Sequence, residues 1–415
     1  MHSGGGKFVY IILIILFLID LYAFRGLRHF LSPLPISVRT IVSVVYWLVP
    51  LFILIMTIII GQNIGVLVSG KMYYRVFYTF MGVLVLFYVP KIIFSAFELG
   101  NDLVNLVIFT IRKLHLGGDI LRFQSIRYVG AFLAILLFVF TFYGIIHGRY
   151  HYKVNRMVLN YRNLPENFDG FKIVHISDWH IGSYYNKPEK IMGAVGRINA
   201  LNPDLILFTG DLVNNVATEV EEFLPALKQL HAKYGVYSVL GNHDYGEYVN
   251  WPSEEEKESN IKKLIDLQAS AGFRLLLNES EEIEIDGQKI SIIGVENWGL
   301  PPFPQYGNLS KALGDNVGNN FQVLMSHDPS HWDAEVKGKT NIGLTLSGHT
   351  HGMQFGFILR NLKWSPVKLK YPRWAGLYSN DSQKLYVNVG IGYIGFPGRV
   401  GIRPEIAVLE LKRQL

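Results

Sequence analysis

The stretch FKIVHISDWHIG, residues 171–182, joins an apolar run directly to an aspartate and a histidine. Its first seven residues are rich in β-branched and aromatic side chains, which predicts a buried strand over 171–177. Asp178 and His180 follow where that strand ends. Ligands of open α/β sheets bind outside the carboxyl ends of the strands. This short stretch therefore predicts both a strand of an α/β sheet and the edge at which its chemistry takes place.

The same arrangement recurs four times further along the chain. Strands are predicted at 204–209, 236–240, 321–326 and 342–347, and they are followed by Asp211, by Asn242, His243 and Asp244, by His327, and by His349 and His351. Helices are predicted at 187–200, 218–234 and 253–271, a hairpin at 283–295 turning at Asp286–Gly287, and closing strands at 384–390 and 402–412. Strands that alternate with helices, together with hairpins, predict a layered α/β domain with mixed β-sheets flanked by helices.

Seven of these polar side chains form a candidate metal centre: Asp178, His180, Asp211, Asn242, His327, His349 and His351. Carboxylate, amide oxygen and imidazole suit Mn, Fe or Zn better than soft metals. Seven ligands exceed the needs of one ion but suit two ions that share a bridging carboxylate, an arrangement used for displacement at phosphorus. Each short motif is common alone, whereas the complete set in this strand context is not expected by chance. His175, His231 and His331 are interpreted as a strand, a helix-surface and a loop residue without a metal role.

The segments SDWH (177–180), GD (210–211), GNHD (241–244), SHDP (326–329) and GHTH (348–351) resemble the motif set of the calcineurin-like metallophosphoesterases. The resemblance covers about residues 150–415 and implies a metal-dependent phosphoric ester hydrolase. It implies one metal on Asp178, His180, Asp211 and His351, and a second on Asp211, Asn242, His327 and His349, with Asp211 bridging. It also implies that His243 protonates the leaving oxygen and that Asp244 orients His243. The expected cofactor is a pair of divalent ions, Mn first, with Fe, Zn or Mg as alternatives.

Two further segments, FDGFKIVHISDWHIG (168–182) and GRVGIRPEI (398–406), resemble a bacterial membrane-linked branch of that family. This branch includes enzymes that cleave UDP-2,3-diacylglucosamine in lipid A biosynthesis. Met353 stands where the branch usually has the second glycine of GHTHGGQ, and since methionine adopts positive φ less readily than glycine, we expect the loop to differ there. Arg399 and Arg403 are candidate phosphate clamps, with surface ion pairs such as Arg403 with Glu405 as the alternative.

Charge and cysteine content exclude several classes of function. The chain has no cysteine, which excludes disulfides, thiolate catalysis and cysteine-based metal sites. Residues 1–150 carry 12 Lys/Arg against 4 Asp/Glu, whereas residues 151–415 carry 27 against 29. Because the basic excess lies outside the globular part, we expect no nucleic-acid binding. The cations before residue 150 are interpreted as flanking residues of membrane spans.

Four apolar stretches, at about 8–24, 41–60, 76–97 and 126–146, are long enough to cross a membrane. We therefore divide the chain into a transmembrane region (1–147), a linker with an entry strand (148–170) and the metallophosphoesterase domain (171–415). Residues 103–116 are too short to span and are predicted to form an interfacial helix. Asp20, Lys91 and Glu98 are expected near span ends, reaching water. The expected location is a bacterial cell membrane, and seven Lys/Arg on each side leave the positive-inside rule balanced.

Two loops that combine aromatic residues with prolines, 296–307 and 363–378, could line a substrate pocket. The second also carries Lys363, Lys368, Lys370 and Arg373. An apolar wall with basic residues would suit a lipid tail with an anionic head group, so the expected partners are the bilayer and a lipid or lipid-linked phosphate. Two alternatives remain: a phosphodiesterase acting on soluble nucleotides, and a metal-dependent membrane sensor or scaffold.

Overall fold

The computed structural model describes residues 4–67, 71–114, 123–185, 187–301, 303–314, 320–359 and 362–414. The chain divides into two compact units. The first comprises Met1–Leu67 and Val76–Tyr143, and the second comprises Val68–Arg75 and Gly144–Leu415.

The first unit is built from four long apolar helices: α1 (Gly4–Leu31), α2 (Ile36–Leu67), α3 (Lys71–Lys113) and α4 (Ser125–Ile146). Each contains one of the four predicted spans and is long and apolar enough to cross a membrane. The prediction of a separate interfacial helix at 103–116 was wrong, because α3 continues without a break through Pro90 to Lys113. At about 1.5 Å per residue, its 43 residues exceed the thickness of a bilayer core.

Charged side chains inside this helical unit are paired with one another. Asp20 is only 1% exposed, its Oδ1 lies 2.6 Å from Lys91 Nζ, and its Oδ2 accepts a hydrogen bond of 2.6 Å from the Tyr88 hydroxyl. Glu98 is fully buried and accepts two hydrogen bonds, of 2.5 and 3.0 Å, from the guanidinium of Arg127. The expectation that these acids reach water was therefore wrong: oppositely charged partners replace the solvent.

In the second unit the described residues form fourteen strands and four further helices. The strands are β1 (Lys153–Tyr161), β2 (Lys172–Ile176), β3 (Leu205–Phe208), β4 (Val236–Ser238), β5 (Phe273–Leu275), β6 (Glu279–Ile285), β7 (Gln288–Gly294), β8 (Phe321–Met325), β9 (Leu344–Ser347), β10 (Phe357–Leu359), β11 (Leu362–Trp364), β12 (Gly376–Asn380), β13 (Gln383–Val387) and β14 (Glu405–Arg413). The helices are α5 (Glu189–Asn199), α6 (Leu224–Leu227), α7 (Glu254–Ser270) and α8 (Leu309–Leu313).

Twelve of the strands form two six-stranded sheets, and β10 pairs with β11 alone. The first sheet has the order β1-β14-β2-β3-β4-β5, and the second has the order β12-β13-β9-β8-β7-β6. In the first sheet β2 to β5 are parallel while β14 runs antiparallel to β2. In the second, β7, β8, β9 and β13 are parallel between antiparallel edge strands β6 and β12. Both sheets are mixed, as predicted.

The two sheets pack face to face around one apolar core. Ile173 and Leu205 from the first sheet belong to the same buried cluster as Ile290, Val323 and Leu344 from the second. Every second side chain of a strand points to the same face, so one layer of Ile, Leu and Val from each sheet fills the space between them. The entry strand β1 pairs with β14 over nine residues and is therefore an integral part of the first sheet.

In the second unit most predicted elements are present, with one clear exception. The predicted hairpin turns where expected, and Asp286 and Gly287 both have positive φ, 45° and 78°, as a type I′ turn requires. The helix predicted at 218–234 was wrong: two 3₁₀ turns and the single turn of α6 replace it. Pro225 lacks the N–H that would continue a helix from the preceding turn. His231 consequently lies in a loop and not on a helix.

Candidate metal centre

The site residues predicted from the sequence follow strands of both sheets. Asp178 and His180 follow β2, Asp211 follows β3, and Asn242 and His243 follow β4, all in the first sheet; His327 follows β8, and His349 and His351 follow β9, in the second. The carboxyl ends of five strands, three from the first sheet and two from the second, thus meet at one place. The sequence indicated a single sheet edge, whereas the structure builds the site from two facing sheets.

Left-handed backbone conformations cluster at this site. Asp178, His180, Asp211, His349 and His351 have φ values of 53°, 49°, 58°, 69° and 49°. This conformation is costly for residues with a Cβ, and it persists where the surrounding structure imposes it, commonly at functional sites. Here it turns the chain sharply after each strand, so that the side chains point toward one another.

Four buried side chains form the first ligand group. Asp178, His180, Asp211 and His351 each offer one ligand atom, and these atoms lie within 4.8 Å of one another. His351 Nε2 is 3.0 Å from His180 Nε2 and 3.2 Å from Asp178 Oδ1. His180 Nε2 is 3.5 Å from Asp211 Oδ2. Such spacings are those of ligand atoms around one ion bound at about 2.0–2.2 Å.

A second group lies on the other side of Asp211. His327 Nε2 is 3.2 Å from Asp211 Oδ2 and 3.2 Å from Asn242 Oδ1. His349 Nδ1 is 2.9 Å from Asn242 Oδ1 and 3.2 Å from His327 Nε2. The same carboxylate oxygen, Asp211 Oδ2, therefore borders both groups. All seven predicted ligands are brought together in the structure.

The hydrogen bonds around these ligands show that a cation fits between them. His180 Nδ1 lies 3.1 Å from the carbonyl oxygen of Val213, and His327 Nδ1 lies 2.7 Å from that of Thr209. A carbonyl only accepts, so Nδ1 carries a proton in both rings, and each Nε2 is the atom that faces the centre and can hold either a proton or a cation there. Asn242 Nδ2 donates to Tyr248, which leaves its Oδ1 facing inward. Acceptor atoms that face one another need a positive charge between them.

The acid–base properties of the buried groups agree with this. Burial lowers the pKa of His180 to about 3 and the pKa of His349 to about 4, so both imidazoles are neutral ligands. Burial also raises the pKa of Asp178 to about 7. For His327, burial is outweighed by the attraction of Asp211, and its pKa rises to about 10. The centre thus stabilises positive charge beside Asp211, where a divalent ion would take the place of a proton.

His243 lies beside the ligands with one ring nitrogen already engaged. Its Nδ1 donates to the carbonyl oxygen of Asn214 at 2.6 Å, and its backbone N–H donates to Asp211 Oδ1 at 2.9 Å. The ring stands edge-on to that of His180, with 4.9 Å between centroids. With Nδ1 committed to a carbonyl, Nε2 is the nitrogen that can exchange a proton with another molecule.

Asp244 does not orient His243, contrary to the expectation from the resemblance. Its fully buried carboxylate accepts four backbone hydrogen bonds, from Asp211 (2.7 Å) and Gly241 (2.9 Å) on Oδ2 and from Leu212 (2.9 Å) and Val213 (3.2 Å) on Oδ1. These donors belong to the two loops that carry Asp211 and Asn242. Asp244 therefore fixes the backbone on which the ligands stand.

Both arginines proposed as phosphate clamps donate to backbone carbonyl oxygens. Arg399 is 2% exposed and donates to the carbonyl oxygens of Val389, Gly390, His351 and Gly392, so its guanidinium supports the loop behind His351. Arg403 donates to the carbonyl oxygens of His151 and Tyr152 at 2.9 and 3.1 Å and is not paired with Glu405. The ion pair of Arg403 with Glu405 was therefore wrong, whereas a role of the exposed Arg403 in binding phosphate stays a prediction.

Met353 adopts the conformation that the sequence argued against. Its φ is 51°, following Gly352 with φ 54°, and its side chain is 59% exposed. The expectation that methionine changes the backbone here was wrong: the left-handed turn forms and carries the strain. The Met353 side chain lies largely in solvent.

Three supporting groups were missed by the sequence argument. The Tyr371 hydroxyl lies 2.8 Å from His349 Nε2, Tyr248 accepts from Asn242, and Asn214 holds His243 through its carbonyl. Hydrogen-bonded partners of this kind fix the orientation of metal ligands. Tyr371 lies in the loop 363–378, which was predicted to line a substrate pocket. The carbonyl of Asn214 could not be identified from the sequence, because every residue has a backbone carbonyl.

Comparisons with known proteins give a consistent result. Residues 171–353 match the family model described as "Calcineurin-like phosphoesterase", and residues 6–149 match "Probable Calcineurin-like phosphoesterase, transmembrane domain". The metallophosphoesterase YkuE of Bacillus subtilis is 34% identical over 258 residues, which cover 60% of this chain and 82% of YkuE. Metallophosphoesterase Cj0846 of Campylobacter jejuni is 27% identical over 340 residues, covering 80% of this chain and 82% of that protein.

A vertebrate relative has a similar combination of parts. The "Transmembrane protein with metallophosphoesterase domain" of Danio rerio is 28% identical over 286 residues, which cover 67% of this chain and 62% of that protein. This chain thus matches less than two thirds of the zebrafish protein. The four apolar helices, the mixed-sheet domain and its ligand cluster agree with these matches. The chain belongs to the calcineurin-like metallophosphoesterases, as a multi-pass membrane protein with a divalent-metal phosphoric ester hydrolase domain.

Proposed function

We propose that this domain binds two divalent cations and hydrolyses a phosphate ester or diphosphate bond of a lipid or lipid-linked molecule in a bacterial cell membrane. The observation that carries the proposal is Asp211 Oδ2, which lies within 3.5 Å of His180 Nε2 and 3.2 Å of His327 Nε2. One oxygen between two nitrogen-rich groups is what a bridging carboxylate requires.

We assign the two ligand groups to separate ions. The first ion takes Asp178, His180, Asp211 and His351; the second takes Asp211, Asn242, His327 and His349. Mixed oxygen and imidazole ligands favour Mn²⁺, with Fe, Zn or Mg as alternatives. When bound, the pair supplies an activated water and neutralises charge on the phosphoryl oxygens.

His243 is proposed as the general acid. The P–O bond to the leaving group breaks as water adds to phosphorus, and the leaving oxygen takes a proton from His243 Nε2. The hydroxyl of the water remains on phosphorus, and its other proton restores His243. The hydrogen bond from Nδ1 to the Asn214 carbonyl fixes the tautomer and the ring plane for this transfer.

A cavity of about 360 Å³ beside the centre could receive the substrate. It is lined by residues of both aromatic loops and of the segment after β8, namely Trp298, Leu300, Pro329, Ser330, Asp333, Ala334, Lys370, Tyr371, Pro372 and Arg373. Tyr371 is part of the cavity wall, and its hydroxyl contacts the candidate metal ligand His349. The wall is mostly apolar, and this favours a substrate that carries hydrocarbon next to its phosphate.

The basic residues of the second loop differ in what they can offer a substrate. Lys363 donates to the Tyr378 hydroxyl at 3.0 Å, and Arg373 is held by Asp333 through two hydrogen bonds of 2.6 and 2.9 Å. Lys370 lies over the ring of Phe303, 4.8 Å from its centroid, at the cavity wall. We therefore propose Lys370 as the cation nearest an anionic head group.

The test is turnover by the full chain in detergent with Mn²⁺ on three substrates: an aryl phosphate, UDP-2,3-diacylglucosamine and a cyclic nucleotide. We expect hydrolysis of the aryl phosphate, and faster turnover of the lipid than of the nucleotide. Preference for the cyclic nucleotide would instead favour the soluble phosphodiesterase, and metal binding without any hydrolysis would favour a sensor or scaffold.

The control variants separate metal binding from proton transfer. His243→Ala should lower kcat by about 10²–10⁴-fold and leave the amount of bound metal unchanged. Asp211→Asn should lower both kcat and the amount of bound metal. Full turnover by both variants would refute the assignment.

A further inference from the structure

The hairpin β10–β11 presents an apolar face to solvent. Phe357 is paired with Trp364, and Leu359 with Leu362, in an antiparallel register. Leu359 is 66% exposed and Leu362 is 64% exposed, while the rings of Phe357 and Trp364 stack with 6.3 Å between centroids. Alternate side chains of a strand share a face. These four residues therefore form one continuous apolar surface.

The opposite face of the hairpin is anchored in the domain. Ile358 packs against the buried cluster of Tyr371, Trp374 and Ala375. Lys363, opposite Ile358 in the register, bonds to Tyr378. The hairpin is thus held rigidly by one face while the other remains uncovered within the described part of the unit.

Two neighbouring turns add further exposed apolar side chains. Leu369 is 95% exposed in the turn Pro366–Leu369, which packs against the turn His351–Gln354 that carries the exposed Met353. We call the six residues Met353, Phe357, Leu359, Leu362, Trp364 and Leu369 the hairpin face. Full exposure of a leucine side chain to water costs about 1.5–3 kcal/mol relative to burial, and large exposed apolar patches mark interaction sites.

The hairpin face is joined directly to the loop that carries two metal ligands. The Ser365 hydroxyl donates to the carbonyl oxygen of Gly352 at 2.7 Å, and the Thr350 hydroxyl donates to that of Trp374 at 2.8 Å. Gly352 and Thr350 flank His351 in the sequence. Whatever covers the hairpin face therefore lies close to the metal centre.

We propose that the hairpin face inserts into the surface of a lipid bilayer, and so brings the metal centre to a phosphate held in that surface. The identity of the substrate in this inference rests on the proposed function, whereas the docking of the hairpin face on a bilayer does not. The composition fits the polar–apolar boundary of a membrane: aromatic and aliphatic side chains, with the exposed Lys368 and Lys370 on either side of Leu369. Lysines so placed complement anionic lipid head groups.

The bilayer is a better occupant than a second copy of the chain for two reasons. Four spanning helices confine the chain to a membrane, so lipid is always available. In addition, lysine is depleted from the cores of protein interfaces, yet Lys368 and Lys370 adjoin the most exposed leucine of the face.

The absence of cysteine allows the proposal to be tested at single positions. Leu362→Cys and Leu369→Cys, each in the full chain, would carry a fluorophore in proteoliposomes with and without lipids that bear a quencher in their acyl chains. The matched control is Val158→Cys, an exposed apolar position on β1 with 56% exposure. We expect loss of fluorescence at 362 and 369 and none at 158.

The alternatives give other results. Labels at 362 and 369 that remain accessible to iodide and unaffected by the lipid quencher would overturn the proposal. Labels shielded from both would show that protein, such as a second copy, covers the face, and would also overturn it. None of these readouts depends on hydrolysis, so a chain that cleaved no phosphate ester would refute the proposed function alone.

A second measurement links docking to turnover. Leu362→Gln combined with Leu369→Gln should lower turnover of a bilayer-embedded phosphate ester by about tenfold or more, with turnover of a water-soluble aryl phosphate unchanged and Val158→Gln as the control. An equal loss on both substrates, or no loss on either, would contradict the proposal.

Discussion

Replacing Asp244 with asparagine should destabilise the domain and release metal, although Asp244 binds none. Its carboxylate accepts two backbone N–H groups on each oxygen. Asparagine must present its NH₂ group to one of these two pairs of N–H groups. Because an NH₂ group donates and does not accept, two hydrogen bonds are lost and two buried N–H groups are left without an acceptor. Hydrogen bonds to charged groups are worth about 1.5–3 kcal/mol each, which gives a loss of about 3–6 kcal/mol.

A loss of this size is a large fraction of the stability of an ordinary domain, about 5–15 kcal/mol. The assay is thermal unfolding of the purified full chain in detergent, with bound Mn²⁺ measured on the same samples. At about 2–4 °C per kcal/mol, Tm should fall by roughly 6–24 °C, and metal content should fall with it. Asp169→Asn makes the same chemical change at an exposed carboxylate and should shift Tm by no more than a few degrees.

The result also decides between two roles for Asp244. If Asp244 acted mainly by orienting His243, Asp244→Asn would lower kcat while Tm and metal content stayed at their original values. That outcome would refute the reasoning from the four backbone hydrogen bonds.

Three further predictions concern other parts of the molecule. Tyr371→Phe removes the hydroxyl 2.8 Å from His349 Nε2 and should weaken binding of the second metal about 10-fold or more, measured by metal titration; unchanged affinity would show that His349 is held by other contacts. Met353→Gly removes a Cβ from a residue with φ 51° and should raise stability by about 1 kcal/mol, seen as a higher Tm; a lower Tm would mean that the methionine side chain is needed. Asp20→Asn leaves Lys91 buried without its anion and should cost about 3–5 kcal/mol, whereas Asp20→Leu with Lys91→Met should recover most of that loss; equal thermal stability of Asp20→Asn and the original chain would argue against a buried pair.

Much of the architecture could be predicted because it depends on local patterns. The strands over 172–176, 205–208, 321–325 and 344–347 are short and mostly apolar, with polar residues soon after each one, and all four are present. The seven candidate ligands could be located for the same reason, since each lies within four residues after the end of a strand. The distribution of those strands over two sheets could not be predicted, because it depends on long-range pairing such as that of β14 with β1 and β2.

The errors about polar side chains came from groups whose partners lie far away in the sequence. Arg399 suggested phosphate binding, but its partners are carbonyl oxygens made available by the chain's tertiary folding. Asp20 and Glu98 suggested span ends, but Lys91 and Arg127 from other helices neutralise them. Asp244 suggested a catalytic pair with its neighbour, but backbone N–H groups some 30 residues earlier claim its oxygens. Each of these errors concerns a polar side chain whose partner is a backbone group or a side chain of another helix.

The ligands come from positions 178 to 351 and from both layers of the core, in a chain that contains no cysteine. Ions bound by ligands from both sheets would form a reversible cross-link between the sheets. No disulfide can serve this purpose, because the chain has no cysteine. Removing metal should therefore loosen the seam between the sheets as well as stop turnover, and amide exchange should rise first in the strand ends that face the ions. A cell short of such metals would lose this protein to unfolding and proteolysis, and not merely to inactivity.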